Sequence, residues 1–155
     1  MAVSYTSPVT GAAQTGFTTP TYTLLVDMAP DVNAKQYAVS ALGGTQAGVT
    51  VSSVAAPFTL AFWKPKIFKF LGKPNPTTGL ISSVPRNVCK QVTRKGVLPL
   101  AGQPYQDMVV TTMIEVPAGA DVADAANIRA ALSLHIGALS QQTAGIGDTS
   151  VTGIV

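Results

Sequence analysis

Residues 105–142 read YQDMVVTTMIEVPAGADVADAANIRAALSLHIGALSQQ. The hydrophobic period changes inside this stretch. From 105 to 116 it is that of a strand. Met108, Val110, Thr112, Ile114 and Val116 fall on one face, and Tyr105, Asp107, Val109, Thr111, Met113 and Glu115 on the other. Pro117-Ala118-Gly119-Ala120 ends the strand. From 122 to 142 the period is helical, with Ile128, Leu132, Ile136 and Leu139 as the main stripe. Asp121 suits the N-cap, and Asp124 puts a carboxylate near the helix start. Ala125, Ala126, Ala130, Ala131, Leu134 and Ala138 leave this helix apolar nearly all round, which predicts burial on more than one side. Gly145 and Gly147 predict a break, so 143–155 is expected to be a tail.

Upstream the chain reads as strands. Residues 86–98 form a long candidate, with Arg86, Val88, Lys90, Val92 and Arg94 on one face and Asn87, Cys89, Gln91, Thr93 and Lys95 on the other. Neither face is cleanly apolar, so one side is expected to meet water or a polar ligand. The runs 21–28 and 35–42 are β-prone, with a turn signal at Pro30-Asp31-Val32-Asn33 between them. Gly43-Gly44 predicts a break, 49–54 another short strand, and 58–71 an aromatic segment interrupted at Pro65. Gly72–Gly79 is read as a loop, and residues 1–20 as an irregular arm with room for a short strand. The expected fold is α+β: one domain over 1–155, with the arm at 1–20, a sheet of about six antiparallel strands in 21–117, a helix at 121–142 and the tail. A helix of about 30 Å covers only part of such a sheet, whose strands lie about 4.8 Å apart. A second copy would cover the rest.

Composition points the same way. The chain has 155 residues, enough for one domain. Charged residues are 11%, against about 25% in an average soluble domain. Either much of the surface is buried against other copies, or Ser and Thr keep it soluble. Hydrophobic residues are 46%, yet no run approaches the roughly 18 apolar residues of a membrane span, and the start lacks the pattern of a secretory signal. No membrane partner is expected. One cysteine and one histidine exclude an internal disulfide and a Cys/His metal cage, and neither metal nor cofactor is expected.

The charge is unevenly placed. Eight of the ten basic residues are Lys64, Lys66, Lys69, Lys73, Arg86, Lys90, Arg94 and Lys95, and no acid lies between 32 and 106. A purely cationic block with Phe62, Trp63, Phe68 and Phe70 among the lysines suits a polyanion. A solvated edge strand with protective lysines is the alternative. Candidate chemistry is thin. His135 stands mid-helix with no nucleophile elbow anywhere in the chain, Cys89 is a strand cysteine beside Lys90, and no phosphate-binding glycine motif occurs. No catalytic residue is expected.

The strand Arg86-Asn87-Val88-Cys89-Lys90-Gln91-Val92-Thr93-Arg94-Lys95-Gly96, the strand after it, the helix Asp124-Ala125-Ala126-Asn127-Ile128-Arg129-Ala130-Ala131-Leu132 onward, and the tail Ala144-Gly145-Ile146-Gly147-Asp148-Thr149 together resemble the coat protein of a single-stranded RNA bacteriophage of the levivirus type. The resemblance covers about 70 residues; the first half fits in strand order only. It implies an intertwined homodimer with one continuous antiparallel sheet, helices crossing onto the partner, and an icosahedral shell assembled in the bacterial cytoplasm. It further implies single-stranded genomic RNA inside, a hairpin bound as translational repressor, and one maturation protein per virion. By strand position it offers Lys90, Arg94, Tyr105 and Asp107 as RNA contacts, with Arg86, Lys64, Lys66 and Lys69 as further cationic candidates. It assigns Ile128, Leu132, His135, Ile136 and Leu139 to the dimer interface. Gly96, Val97, Leu98, Pro99, Leu100, Ala101, Gly102, Gln103 and Pro104 become the loop between dimers. Two rivals fit the composition: a non-assembling RNA-binding module, and another self-assembling subunit of pilin or tail-tube kind.

Overall fold

A computed structural model describes residues 2–155. The elements are β1 (Val9–Thr10), β2 (Thr18–Asp27), β3 (Ala34–Thr45), β4 (Phe58–Trp63), β5 (Arg86–Val97), β6 (Gln106–Pro117), α1 (Ala120–Ala123), α2 (Ala125–Gln141) and α3 (Thr143–Thr152). The six strands form one sheet in sequence order, each antiparallel to the next. This is the expected class, an antiparallel sheet followed by C-terminal helices.

Register sorts the side chains. Ala38–Thr59–Arg94–Val109, Gln36–Ala61–Val92–Thr111 and Ala34–Trp63–Lys90–Met113 run across one face of the sheet. Lys35–Phe62–Gln91–Thr112 and Tyr37–Leu60–Thr93–Val110 run across the other. The second face carries the helices, because Ile114 and Val116 line a hollow with Ile128, Leu132 and His135 of α2. The arm crosses this face too. Tyr5 donates to Gln91 Oε1 at 3.0 Å and meets Tyr37 edge-on, and Lys35 Nζ donates to the Val3 carbonyl.

Four expectations change. Residues 49–54 form no strand, because their backbone groups are taken up locally. Ser52 N donates to Val39 O, Ser53 N to Ala56 O, and Lys95 Nζ to Thr50 O. The glycine pair at 43–44 does not end its strand. Gly44 takes φ 71 inside β3, with the carbonyls of Thr18 and Thr19 where a side chain would stand. The helical region is three helices instead of one with a tail. Asp121 lies inside α1, and Asp124 breaks the run with φ −148 while its carboxylate accepts from Asn127 Nδ2 at 2.8 Å. Residues 143–152 stay helical despite Gly145 and Gly147. Thr143, Ser150 and Thr152 hydroxyls bond back to carbonyls three or four residues earlier, and the arm braces the helix through Gln14 to Thr143 O and Thr15 to Asp148 Oδ2. Gly147 leaves room for the Gln14 side chain to lie against α3.

Gly96 and Val97 belong to β5, not to the loop after it, which begins at Leu98. Gly96 is buried, donates to Pro57 O at 2.6 Å, and a Cβ there would stand 2.6 Å from Ala56 Cα. That neighbour is backbone and cannot swing aside. Gly96→Val is expected to cost about 1–3 kcal/mol, seen as a lower urea midpoint at fixed protein concentration.

The chain alone does not close a core. Its accessible surface is 10881 Å², against about 7,400 Å² for a folded monomer of this mass. Among the described residues no helical side chain is buried. Leu134 and Ile136 are 75% and 61% exposed. Strand β6 is paired on one side only.

Candidate nucleic-acid face and assembly surfaces

The face opposite the helices carries Arg86, Lys90 and Arg94 in one row along β5. Each is differently held. Arg86 Nη1 lies 3.5 Å from Glu115 Oε2, both well exposed, so the pair contributes little stability. Lys90 Nζ sits 4.5 Å above the Trp63 ring, a cation–π contact of about 0.5–1 kcal/mol. Trp63 is fixed in turn by its indole N–H, which donates to Asp31 Oδ2 at 2.9 Å. Arg94 opens onto a hollow of about 600 Å³ shared with Asp27, Gln36, Thr59 and Asp107. Gln36 Nε2 donates to Asp27 Oδ2 at 2.8 Å there.

Two sequence readings meet different fates on this face. Arg94 and Asp107 do come together. The purely cationic block does not survive folding: Asp27, Asp107 and Glu115, distant in sequence, stand on the same face as the three cations. That face therefore presents alternating charge, with hydroxyl and amide groups between.

The remaining cationic candidates are not brought to it. Lys64 continues β4 by one bond, its N–H donating to Asn33 O, and falls on the helix-side face beside Lys35, Phe62 and Phe68. Lys69 is pinned to that side by Asn87, whose amide accepts from Lys69 N and donates to Lys69 O. Lys66 lies in the exposed segment between them. The physical reason is Pro65, which ends the ladder so that the chain turns away from Lys90. Tyr105 is likewise apart: it lines a separate hollow with Val49, Thr50, Lys95 and Leu98. Lys95 points to the helix side, donating to Thr50 O and Oγ1 over the Phe58 ring, and burial lowers the pKa of its ammonium group. Cys89 faces the same way, opposite Ile114, and burial pushes its thiol up, away from the reactive thiolate.

The helix residues divide. Ile128, Leu132 and His135 border an open hollow with the end of β6 in their own chain, His135 itself exposed. Leu139 borders an open apolar groove with Met108, Val110, Ile146 and Val151. Ile136 stays exposed in the single chain. In the loop after β5, Leu98 and Leu100 are exposed, and Gln103 N donates to Leu100 O at 3.1 Å. Among the described residues no group of His, Cys, Asp and Glu is placed to hold a metal, and no helix is long and apolar enough to cross a membrane.

A subunit with a bare sheet edge and unburied apolar helices is built for assembly. Comparison with solved structures gives it a family. The chain matches a subunit in the virus-like particle of bacteriophage ESE020 with 56% identity and a TM-score of 0.97, covering 99% of this chain and 100% of that one. A second particle, of Beihai levi-like virus 32, matches at 17% identity and TM-score 0.50 over 86% of this chain and 88% of that one, a likeness of fold. No protein-family model and no curated protein matches the chain. The chain belongs to the coat proteins of single-stranded RNA bacteriophages of the levivirus type. It is a structural subunit of a phage capsid and a component of the virion, not an enzyme.

Proposed function

We propose that two copies pair along β6 into a homodimer, that dimers close into an icosahedral shell, and that the face bearing Arg86, Lys90 and Arg94 lines its interior against single-stranded RNA. The observation that carries this reading is the β6 edge. Twelve residues of strand lie unpaired on one side, beside apolar helix surface that nothing in the chain covers. Antiparallel pairing about a twofold axis satisfies the edge and joins two six-stranded sheets into one. The groove of Met108, Val110, Leu139, Ile146 and Val151 then receives apolar surface of the partner.

The inner face supports RNA contact of a particular kind. With carboxylates interleaved among its cations, it gains less from phosphate neutralisation and more from base edges and stacking. Asp107 and Asp27 accept from base amino groups, and Arg94 contributes to phosphate or stacks. A hairpin bound there as translational repressor, a maturation protein in each virion and assembly in the host cytoplasm complete the proposal. Lys64, Lys66, Lys69 and Tyr105 are left out of the RNA surface on the geometry above.

The first test is expression of the chain alone in bacteria, with negative-stain electron microscopy and the ratio of absorbance at 260 and 280 nm. Round particles rich in nucleic acid are expected. Soluble monomers or dimers without particles favour a free RNA-binding module, and filaments another kind of assembly. Lys90→Gln with Arg94→Gln is expected to lower the RNA content of the particles severalfold while the urea midpoint of the dimer moves little. Unchanged RNA content would sink the assignment of this face.

A further inference from the structure

Residues 64–85 contain no helix or strand, yet they are held in place. At the tip, Asn75 Oδ1 accepts from Thr77 N and Thr78 N at 2.8 and 3.3 Å, and Asn75 N donates to Leu80 O at 2.8 Å. At the base, Lys69 is bonded to Asn87, Leu71 rests on Gly119, and Ala118 N donates to Pro85 O at 2.8 Å. The segment is therefore fastened to the end of the subunit where β6 passes into α1.

Its outward side chains are of two kinds. Lys66, Lys69 and Lys73 are exposed with no acid in the segment. Phe70 is 82% exposed, and Val122 of the neighbouring α1 is 87% exposed. Beside Val122 stand Asp121 and Asp124, also exposed. Among the described residues the one ion pair is Arg86 with Glu115, so these lysines and aspartates are not joined within the chain. One end of the molecule thus carries a basic half, an acidic half and apolar side chains in both. A twofold axis through such a patch sets each half against its complement.

We propose that this end is a second contact between copies of the chain, separate from the β6 edge, in which Lys66, Lys69 and Lys73 of one dimer face Asp121 and Asp124 of the next, with Phe70 and Val122 packed between them. It rests on the capsid reading above, and it gives the lysines that folding removes from the RNA face a partner of opposite charge. RNA is the competing partner. Lys69 is held to the helix side of the sheet by Asn87, opposite Lys90 and Arg94, which favours the second copy.

The test is Lys66→Glu with Lys69→Glu in the full chain expressed in bacteria, read by light scattering, microscopy and RNA content. Dimers of unchanged urea midpoint are expected, with particle yield reduced tenfold or more. Adding Asp121→Lys and Asp124→Lys to the same chain is expected to restore particles. Wild-type particle yield in the first variant overturns the proposal, and if RNA content falls at that yield the lysines bind RNA instead. Folded dimers that the second pair fails to rescue overturn it as well. Phe70→Ser covers the case of a misfolded charge variant: intact dimers with few particles are expected, and wild-type yield overturns the contact. If the unaltered chain forms no dimer, the capsid reading fails, a result distinct from any of these.

Discussion

Ile136→Asp is expected to yield neither dimers nor particles, while the substituted chain keeps its own sheet. Within one chain Ile136 is 61% exposed, whereas Ile128 and Leu132 are half-buried where they border an open hollow at the end of β6. A polar residue at an exposed helical position alters monomer stability by no more than about 0.5 kcal/mol. At a twofold interface the same aspartate is buried twice. Each burial without a partner costs several kcal/mol unless the carboxylate takes up a proton. The contrast between a silent change in the monomer and a double charge in the dimer gives the experiment its power. Light scattering after size-exclusion chromatography is expected to show monomers, or aggregates of a chain whose apolar helix has lost its cover. Leu132→Asp is less informative, because Leu132 is already half-buried beside β6 in the single chain. Soluble Ile136→Asp dimers would refute helix burial between copies.

The sequence was most legible where periodicity was strong. The strand read at 105–116 is the observed β6, Gln106–Pro117, and the face of Thr112, Ile114 and Val116 is its more buried one, while Gln106–Thr111 are exposed throughout. The two faces of β5 read from residues 86–98 are those that the register gives. Legibility failed where hydrogen bonds of distant origin decide. The 49–54 run has strand propensity, but Val39 and Lys95 claim its backbone. Gly145 and Gly147 read as breakers, yet arm and helix meet at that point through residues far apart in the chain. The charge reading failed for a related reason. A one-dimensional count finds no acid between 32 and 106, but pleating brings β2 and β6 carboxylates onto the β5 face. Pro65 was visible as a break. Which way the lysines beyond it would turn depends on Asn33 and Asn87, and neither carries a local signal for that role.

Trp63→Ala is expected to prevent accumulation of soluble coat at 37 °C. Among the described residues the buried apolar side chains are Pro20, Leu24, Val39, Ala56, Ala61, Trp63, Val92 and Ala118, and three of these are alanine. Trp63, 6% exposed, is the largest and packs with Ala61, Val92 and Ala34 on the face opposite the helices. Truncation costs about 3–5 kcal/mol through lost burial and the cavity left behind, a large share of a total stability of about 5–15 kcal/mol. It also removes the ring beneath Lys90 and the donor to Asp31. Trp63→Phe separates these losses. It keeps an aromatic floor for Lys90 and most of the volume, and gives up the indole bond to an exposed carboxylate, worth about 1 kcal/mol. Particles are expected from Trp63→Phe and not from Trp63→Ala. Urea unfolding at one fixed concentration is the measurement, since partner binding and folding are linked by mass action. A mild Trp63→Ala phenotype would mean that the stabilising burial lies almost wholly between copies. The small cluster around Trp63 would then hold Lys90 in place without anchoring the fold.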